Sequence, residues 1–334
     1  MRHGKKVKVV CFGGGTGMPS LLRGLKTNPN LDVTAVVSMF DNGGSSGELR
    51  DKFGILPPGD ILKCLLALAE DDASARKILL RRISHERFPG HTGGNVLLMG
   101  LEKVYEDYRD AVRALGQILS VQGTVVPVAL TQGVLCAEHA DGFVSKGEVG
   151  VDKHLFEGRE IKRLFLEPHV EASPDALEAI RNADVLCAGP GSFYTSVMPN
   201  FLPRGVREGV QASHAPLIFI ANLLAEGRGM QGYAVPRVVE TFERYAGRKA
   251  DAVVVNTKVP NANVLARYAA EYKYPLRIGI EESGGPARNA NASVAGGLDP
   301  RFVSEDLWLD EGIARHDSER LAEVVSKIIE KMVK

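Results

Sequence analysis

Glycine-rich segments that follow predicted strands are the parts of this sequence best suited to chemistry. The first segment, Gly13-Gly14-Gly15-Thr16-Gly17, follows an apolar run and precedes a helical pattern. Such a turn exposes backbone N–H groups beside the positive end of a helix, which together form a seat for phosphate. Its spacing matches neither the dinucleotide fingerprint, whose last glycine is replaced by Met18, nor the P-loop, which requires a lysine. A tight turn that needs positive φ angles is the alternative, but four glycines among five residues favour phosphate binding.

A second polar segment, Asp41-Asn42-Gly43-Gly44-Ser45-Ser46-Gly47, follows the next predicted strand. It offers a carboxylate, an amide and two hydroxyl groups, which could hold a ribose or a metal-bound phosphate. A solvated Asp-Asn turn is the alternative. Asp60, in the run Pro57-Pro58-Gly59-Asp60, is expected as the N-cap of a helix. If Asp41 and Asp60 converge, they are candidate catalytic residues and candidate ligands for a divalent cation such as Mg²⁺.

Further strand ends carry residues of the same kind. Gly189-Pro190-Gly191-Ser192 follows an apolar run and is expected to form a second anion-binding turn. Asn222 and Asn256 each end another apolar run. Because the carboxyl ends of parallel strands meet at one edge of a sheet, five such strand ends predict a ligand crevice there. At any single strand the alternative is ordinary turn chemistry, which favours glycine, asparagine and aspartate.

One histidine lies in a context that could support chemistry. His91 stands in Gly90-His91-Thr92-Gly93-Gly94-Asn95, directly before a helical pattern. There it could contact phosphate or assist proton transfer, and a structural role is an equal alternative. The other histidines have no metal-ligand spacing, and the sequence has no Gly-x-Ser-x-Gly nucleophile motif.

Alternating β-branched and helical patterns supply the elements that must position these residues. Strands are predicted at 7–12, 33–38, 125–130, 161–166, 185–188, 217–221 and 252–255, with one more at 276–280. Helical patterns separate them, and a last amphipathic helix covers Ser318–Met332. The alternation predicts a Rossmann-like, doubly wound α/β fold with a mostly parallel sheet. We expect one domain over residues 1–334, with a small antiparallel hairpin insertion at about 133–158 and a mobile loop at about 281–300.

The composition argues against several classes of protein. The sequence has 41 basic and 41 acidic side chains, a balance that disfavours binding to a nucleic acid polymer. No apolar run approaches the length of a membrane span, and the N-terminal residues lack the apolar region of a signal peptide. The four cysteines are far apart and have no metal-ligand spacing. We therefore expect a soluble cytoplasmic protein without a membrane span.

Taken together, the motifs resemble those of the YvcK-like branch of the CofD/YvcK family. The matching motifs are the glycine run at 13–17, Asp41-Asn42-Gly43-Gly44-Ser45-Ser46-Gly47-Glu48-Leu49-Arg50, Gly54-Ile55-Leu56-Pro57-Pro58-Gly59-Asp60, Gly90-His91-Thr92-Gly93-Gly94-Asn95, Gly189-Pro190-Gly191-Ser192-Phe193-Tyr194-Thr195-Ser196 with Pro199-Asn200, and Arg315-His316-Asp317. They occur in the order that the family has and span nearly the whole chain. In combination they are far more specific than any single glycine turn.

The resemblance implies a Rossmann-like fold that binds a nucleotide or nucleotide sugar, typically a UDP-sugar. It also implies a regulator of cell-wall synthesis, cell shape and growth on gluconeogenic carbon sources, which self-associates and has a cell-wall enzyme as partner. By motif position, Tyr194, Thr195 and Asn200 belong to the second glycine motif, whereas Tyr268 and Arg315 match nucleotide-sugar contacts of the family. Arginine can fork onto a diphosphate, and tyrosine can stack on a base.

The alternative within the family is the CofD branch, a magnesium-dependent transferase that joins phospholactate from a guanylylated donor to a deazaflavin. If the chain is an enzyme, the resemblance implies this reaction. Asn42 stands where the family usually has a second aspartate, which favours the regulator. The run Leu223-Leu224-Ala225-Glu226-Gly227-Arg228-Gly229-Met230 also departs from the family, which often has Met-Thr-Gln and then Gly-Glu-Thr there. A nicotinamide-dependent oxidoreductase is a third interpretation that rests on fold class alone, and the glycine spacing counts against it.

Overall fold

A parallel sheet of seven strands forms the centre of the structure, a computed structural model that describes residues 5–43, 56–84, 90–279, 299–309 and 312–333. The strands of these residues are β1 (Val7–Gly13), β2 (Leu31–Val37), β3 (Thr124–Pro127), β4 (Val134–His139), β5 (Val144–Lys146), β6 (Ile161–Glu167), β7 (Val185–Ala188), β8 (Leu217–Ile220), β9 (Leu224–Ala225), β10 (Ala252–Asn256), β11 (Tyr274–Pro275) and β12 (Phe302–Glu305). The central sheet has the order β12-β10-β8-β7-β1-β2-β3, and every neighbouring pair is parallel. The predicted doubly wound α/β fold is confirmed.

The order of the strands creates one switch point at the middle of the sheet. From β1 the chain moves outward through β2 to β3, and it then returns to β7, on the other side of β1, before it continues through β8 and β10 to β12. The connections after β1 and β7 therefore diverge to opposite sides. A crevice at the carboxyl ends of the strands opens at this kind of position.

Helices cover both faces of the sheet. The described helices are α1 (Met18–Leu25), α2 (Gly59–Leu68), α3 (Asp72–Leu79), α4 (Gly93–Tyr105), α5 (Tyr108–Ile118), α6 (Glu148–Glu157), α7 (Pro174–Asn182), α8 (Val206–Ala212), α9 (Val235–Ala246), α10 (Ala262–Ala270) and α11 (Ser318–Met332). Alternate residues of β1 point to the two faces, so Val9 and Cys11 join one core while Val10 and Phe12 join the other. Helices α1, α2, α5 and α11 contribute to the first core, and α7, α8 and α9 contribute to the second.

The predicted hairpin insertion is present and is larger than the sequence suggests. Strands β4 and β5 form the antiparallel hairpin, and β6 pairs with the other edge of β4. The part of the predicted insertion that follows β5 forms helix α6. This helix buries Val151 and Leu155, which lie one helical turn apart. The strand predicted at 161–166 is therefore a member of this small sheet and not of the parallel one.

The strand predicted at 276–280 is wrong over its described residues 276–279, which form no strand. The structure has a two-residue strand at Tyr274–Pro275, which pairs antiparallel with Leu224–Ala225 outside the central sheet. The last parallel strand is instead β12, a half-buried edge strand with an exposed Ser304. Edge strands lack a continuous apolar run, which explains why the pattern does not reveal β12. The expected mobile loop at 281–300 lies almost entirely outside the described residues.

Candidate functional site

The two predicted glycine turns are in contact at the switch point of the sheet. Gly17, in the turn after β1, packs so closely against the turn after β7 that a Cβ atom on it would lie 2.7 Å from three backbone atoms of Pro190 and Gly191. In return, a Cβ atom on Gly191 would lie 3.3 Å from the Gly14 carbonyl oxygen. Only glycine permits this approach of two backbones. The turns therefore form one continuous floor at the carboxyl edge of the sheet.

The Asp60 carboxylate binds the first glycine turn directly. Its Oδ2 atom accepts a hydrogen bond of 2.6 Å from the Gly15 N–H, and its Oδ1 atom accepts one of 2.8 Å from Lys63 Nζ. The expected N-cap role of Asp60 is wrong, because α2 begins at Gly59 with Pro58 as its N-cap. Asp60 lies within the first turn of the helix and points away to the glycine turn. Burial lowers the pKa of Lys63, but the adjacent Asp60 carboxylate outweighs this and the net pKa is raised.

Two of the predicted contact residues, Asn200 and Tyr194, are buried side chains. Asn200 is fully buried, and its Nδ2 atom donates to the carbonyl oxygens of Gly13, Ser196 and Val197 at 2.8–3.2 Å. Tyr194 is also buried, and it packs edge-on against Phe193 at 4.9 Å between ring centroids. Asn200 therefore supports the first glycine turn, whereas Tyr194 is a buried side chain beside Phe193. Thr16, by contrast, is exposed on the turn itself.

The second glycine turn is bound by a carboxylate that the sequence does not single out. Glu226 follows β9, and its Oε2 atom accepts from Ser192 Oγ at 2.9 Å and from the Phe193 N–H at 3.1 Å. Ser192 Oγ also lies 2.7 Å from Thr195 Oγ1. Burial raises the pKa of Glu226 to about 7, with a further contribution from the negative charge of Asp152. The predicted residues Ser192 and Thr195 thus belong to a hydrogen-bond network that ends on Glu226.

Asp41 meets two carboxylates of α6 at the rim of the floor. Its Oδ1 atom accepts from the Gly43 N–H at 2.6 Å, and Glu148 hydrogen-bonds to it. Burial, this hydrogen bond and the charges of Asp41 and Asp60 raise the pKa of Glu148 to about 10. Burial likewise raises the pKa of Asp152 to about 6, although a hydrogen bond with Thr195 opposes this. The site therefore concentrates negative charge at the end where Asp41 lies.

The carboxylates of Asp41 and Asp60 do not fit a metal site built by the protein alone. Both oxygens of Asp60 already accept hydrogen bonds, and Asp41 is bonded to Glu148 and Gly43. Among the described residues, no group of three or more His, Cys, Asp or Glu side chains has a geometry that could hold a metal ion. Asn42, which replaces the second aspartate, accepts from the Val149 N–H at 3.1 Å and so anchors α6.

Tyr268 lies against the segment that contains Arg315. Tyr268 on α10 packs against a small cluster that contains Leu223, Leu224 and Trp308. Its hydroxyl oxygen accepts from the N–H of Ala314, the neighbour of Arg315, at 2.7 Å. Tyr268 and Ala314 are 46 positions apart in the sequence, and this hydrogen bond joins α10 to the segment that contains Arg315.

The asparagines that end β8 and β10 are bonded to neighbouring loops. Asn222 donates from Nδ2 to the Gly191 carbonyl oxygen at 2.5 Å, and its Oδ1 atom is buried without a partner in the described structure. Asn256 accepts from the Leu307 N–H at 3.0 Å and from the Lys258 N–H at 3.2 Å. Asn222 therefore ties the β8 end to the second glycine turn, whereas Asn256 ties the β10 end to the segment that precedes Arg315.

His316 is a functional candidate that the single-residue patterns miss. It is 5% exposed, and among the described atoms its Nε2 has no hydrogen-bond partner. Burial lowers the pKa of His316 to about 4, and a hydrogen bond to the Ala221 carbonyl opposes this shift. The neutral imidazole therefore lies beside Ala221, the residue directly before Asn222.

Two further predicted residues, His91 and Asn95, lie at the start of α4. His91 is buried, and Asn95, also buried, belongs to the first turn of α4, which Thr92 caps. That turn packs against α2, because a Cβ atom on Gly94 would lie 2.5 Å from the Leu62 side chain. Ser45 and Ser46 lie outside the described residues. Within the described ranges, no helix combines the length and the apolar content that a membrane crossing requires.

Comparison with known proteins gives matches over nearly the whole chain. The protein family described as "2-phospho-L-lactate transferase CofD" matches residues 9–292. A protein of Thermotoga maritima named "Putative gluconeogenesis factor" is 36% identical over 324 residues, which are 96% of this chain and 99% of that protein. The "Gluconeogenesis factor" of Bacillus subtilis is 36% identical over 282 residues, which are 84% of this chain and 88% of that protein.

Solved structures match the fold to the same extent. The crystal structure of protein BH3568 from Bacillus halodurans has a TM-score of 0.84 at 33% identity, and the match covers 99% of this chain and 100% of that one. A second crystal structure, of a member of the UPF0052 family from the same organism, has a TM-score of 0.85 and covers 96% of this chain.

Proposed function

The chain belongs to the CofD/YvcK family, and we propose that it binds a nucleotide sugar of the UDP type and acts as a regulatory protein. The regulated processes are cell-wall synthesis, cell shape and central carbon metabolism. The name "gluconeogenesis factor" of its relatives supports the metabolic part of this proposal. We also propose that the protein self-associates and that its partner is a cell-wall enzyme.

The observation that carries the proposal is the joined floor of the two glycine turns at the switch point. The Gly15 N–H of the first turn is taken by Asp60, but the exposed Thr16 and the start of α1 leave a position that suits the diphosphate of a nucleotide sugar. Tyr268 lies on α10, the helix that follows β10, and it is bonded to the segment that carries Arg315. Strand β10 is three strand spacings, about 14 Å, from β1, which leads into the first glycine turn. A ligand with a diphosphate and two larger ends suits this separation better than a single phosphate does.

Binding without turnover is the second part of the proposal. The carboxylates at the rim are engaged: Asp60 by Gly15 and Lys63, Asp41 by Glu148. Asn42 is used to anchor α6. A carboxylate that acts as a general base or a metal ligand must be able to face the substrate. Here Asp60 and Asp41 are instead bonded to other groups of the protein.

A thermal-shift screen with purified protein tests the proposal. UDP-sugars, GDP and GTP with Mg²⁺, and nicotinamide dinucleotides are compared at equal concentration. We expect selective stabilisation by UDP-sugars, of about 2.7 kcal/mol at one hundred times the dissociation constant. Selective stabilisation by guanosine nucleotides would favour the transferase, and selective stabilisation by nicotinamide dinucleotides would favour the oxidoreductase. If no nucleotide stabilises the protein, the proposal is wrong.

A CofD-like transferase is the second candidate, and it is favoured because the Asp60 carboxylate lies on the first glycine turn and, against the effect of burial, both Asp60 and Asp41 raise the pKa of Lys63. In that reaction a deazaflavin hydroxyl would attack the lactyl phosphate of the guanylylated donor, and GMP would leave. Incubation of the protein with donor, deazaflavin and Mg²⁺, followed by chromatography, tests this directly. Formation of a phospholactyl-deazaflavin together with an equal amount of GMP would show that the protein is the transferase and not the regulator.

A further inference from the structure

Glu226 occupies the hydrogen-bond donors that an anionic ligand would use at the second glycine turn. Its carboxylate accepts from Ser192 Oγ and from the Phe193 N–H, and its second oxygen lies 3.5 Å from Asn222 Nδ2. From its glycines and its place after a strand, this turn is predicted to bind an anion. In the structure the anion is a side chain of the protein itself.

This carboxylate is close to the seat proposed for the diphosphate. Ser192, to which it is bonded, directly follows Gly191, and Gly191 is in backbone contact with Gly14 and Gly17 of the first turn. Protein atoms and not bulk water fill the space between the two turns, so charges there are poorly screened. A phosphate on the first turn and an ionised Glu226 therefore repel each other.

The groups around Glu226 act on its pKa in opposite directions. Asp152 on α6 contributes negative charge, and Lys273, which follows α10, contributes positive charge. The hydrogen bonds from Ser192 and Phe193 favour the ionised form, whereas burial disfavours it. The balance leaves a pKa of about 7.

We propose that Glu226 selects the charge of the ligand, so that the crevice binds an anionic ligand together with one proton on Glu226 and prefers a diphosphate diester to a nucleotide with a free terminal phosphate. The proposal rests on the nucleotide-sugar function proposed above. A free terminal phosphate carries up to one additional negative charge at neutral pH, because its second pKa is about 6. It is therefore repelled more strongly than the doubly esterified diphosphate of a nucleotide sugar.

The sign of the pH dependence follows from linkage. Below about pH 7, Glu226 already carries its proton in the free protein, so binding takes up none and affinity is constant. Above about pH 7, binding must bring a proton to Glu226, and affinity falls by up to tenfold for each pH unit. The effect ends where the pH exceeds the pKa of Glu226 in the complex.

Calorimetric titration of the wild type and Glu226→Gln tests the proposal. The glutamine keeps the length and one acceptor oxygen but cannot ionise. UDP-glucose, UDP and inorganic pyrophosphate are titrated at pH 6, 7 and 8.5, each in two buffers with different heats of ionisation. We expect the wild type to lose about tenfold or more in affinity between pH 7 and 8.5 and to take up close to one proton. We expect Glu226→Gln to retain its affinity, to take up no proton and to discriminate less between UDP-glucose and UDP.

Glu240→Gln is the matched control, because Glu240 is exposed on α9 and should leave the pH dependence unchanged. A flat pH profile in the wild type would overturn the proposal. So would a loss of affinity at every pH in Glu226→Gln, since Glu226 would then accept a hydrogen bond from a ligand hydroxyl. If pyrophosphate binds with uptake of a proton but neither uridine compound binds, the proposed nucleotide-sugar function is wrong and charge selection by Glu226 still holds. Binding of none of the three probes would remove both.

Discussion

Gly17 and Gly191 touch through their backbones, although 174 residues separate them in the sequence. This contact exists because β1 and β7 are neighbours in the sheet and both connections begin with glycine. It makes one surface from two turns. The geometry of any ligand seat on that surface depends on the contact.

Gly17→Ala is expected to destabilise the protein and to abolish ligand binding. The new methyl group would lie 2.7 Å from backbone atoms, which cannot move aside as a flexible side chain can. Overpacking of this kind costs about 1–3 kcal/mol. The measurement is urea unfolding together with UDP-sugar titration at a temperature at which the variant is folded.

Gly100→Ala is the matched control for this prediction. Gly100 lies in the exposed middle of α4, with nothing within 4 Å of an added Cβ atom. This alanine should stabilise the helix by about 0.5–1 kcal/mol. Equal stability of the Gly17 and Gly100 variants would contradict the close packing of the two turns.

The sequence reveals the strand ends well, because each is a local signal. An apolar run followed by glycine or asparagine identifies the carboxyl ends of β1, β7, β8 and β10 without knowledge of their neighbours. Parallel strands then share one edge, so the convergence of these segments follows from the fold class.

The partners of the carboxylates could not be predicted in this way. Asp60 has the sequence context of an N-cap, yet its acceptor atoms serve Gly15, which lies 45 residues earlier. Glu226 lies in an irregular loop and meets Ser192 only because β7 and β8 are adjacent. Such contacts depend on the paths of two loops in space, and no periodicity or spacing encodes them.

Asp60→Asn is expected to loosen the first glycine turn. The asparagine can keep one acceptor for the Gly15 N–H, but it leaves Lys63 without its buried carboxylate partner. Loss of a largely buried charged hydrogen bond costs about 1–3 kcal/mol. The measurement is urea unfolding of Asp60→Asn and of the double variant Asp60→Asn/Lys63→Met. The double variant should recover part of the loss, and an additive further loss would contradict the pairing.

Tyr268→Phe is expected to weaken nucleotide-sugar binding about three- to tenfold while the protein stays folded. The substitution removes the hydroxyl oxygen that accepts from the Ala314 N–H, so the segment that carries Arg315 loses an anchor. Calorimetric titration with a UDP-sugar measures the change. Tyr105→Phe, at the exposed end of α4, is the control and should bind as the wild type does. Unchanged affinity in Tyr268→Phe would separate Tyr268 from the site.

Arg315→Ala is expected to weaken the same ligand by more than tenfold, with little change in unfolding free energy. Arg315 is only partly buried, so its removal leaves no large cavity. Charge-assisted hydrogen bonds from arginine to phosphate contribute about 1.5–3 kcal/mol each. Arg207→Ala, on the exposed side of α8, is the matched control. A wild-type affinity in Arg315→Ala would remove this residue from the crevice.

His316 is expected to make the protein less stable as the pH falls from about 6.5 to about 4. Burial lowers the pKa of His316 to about 4 in the folded state, whereas an unfolded histidine has a pKa of about 6.5. Between these values the unfolded chain binds the proton and the folded protein does not, so protonation favours unfolding. The stabilisation is complete above about pH 6.5 and decreases by up to about 1.4 kcal/mol per pH unit below it. Urea unfolding at pH 5, 6 and 7 measures the slope, to which the raised pKa values of Glu148, Asp152 and Glu226 contribute with the opposite sign.

His316→Asn can keep a donor for the Ala221 carbonyl but cannot titrate, so its stability relative to the wild type should increase as the pH falls. His214→Asn, at an exposed histidine, should keep the wild-type slope. Equal slopes in all three proteins would show that His316 is protonated as readily in the folded protein as in the unfolded chain.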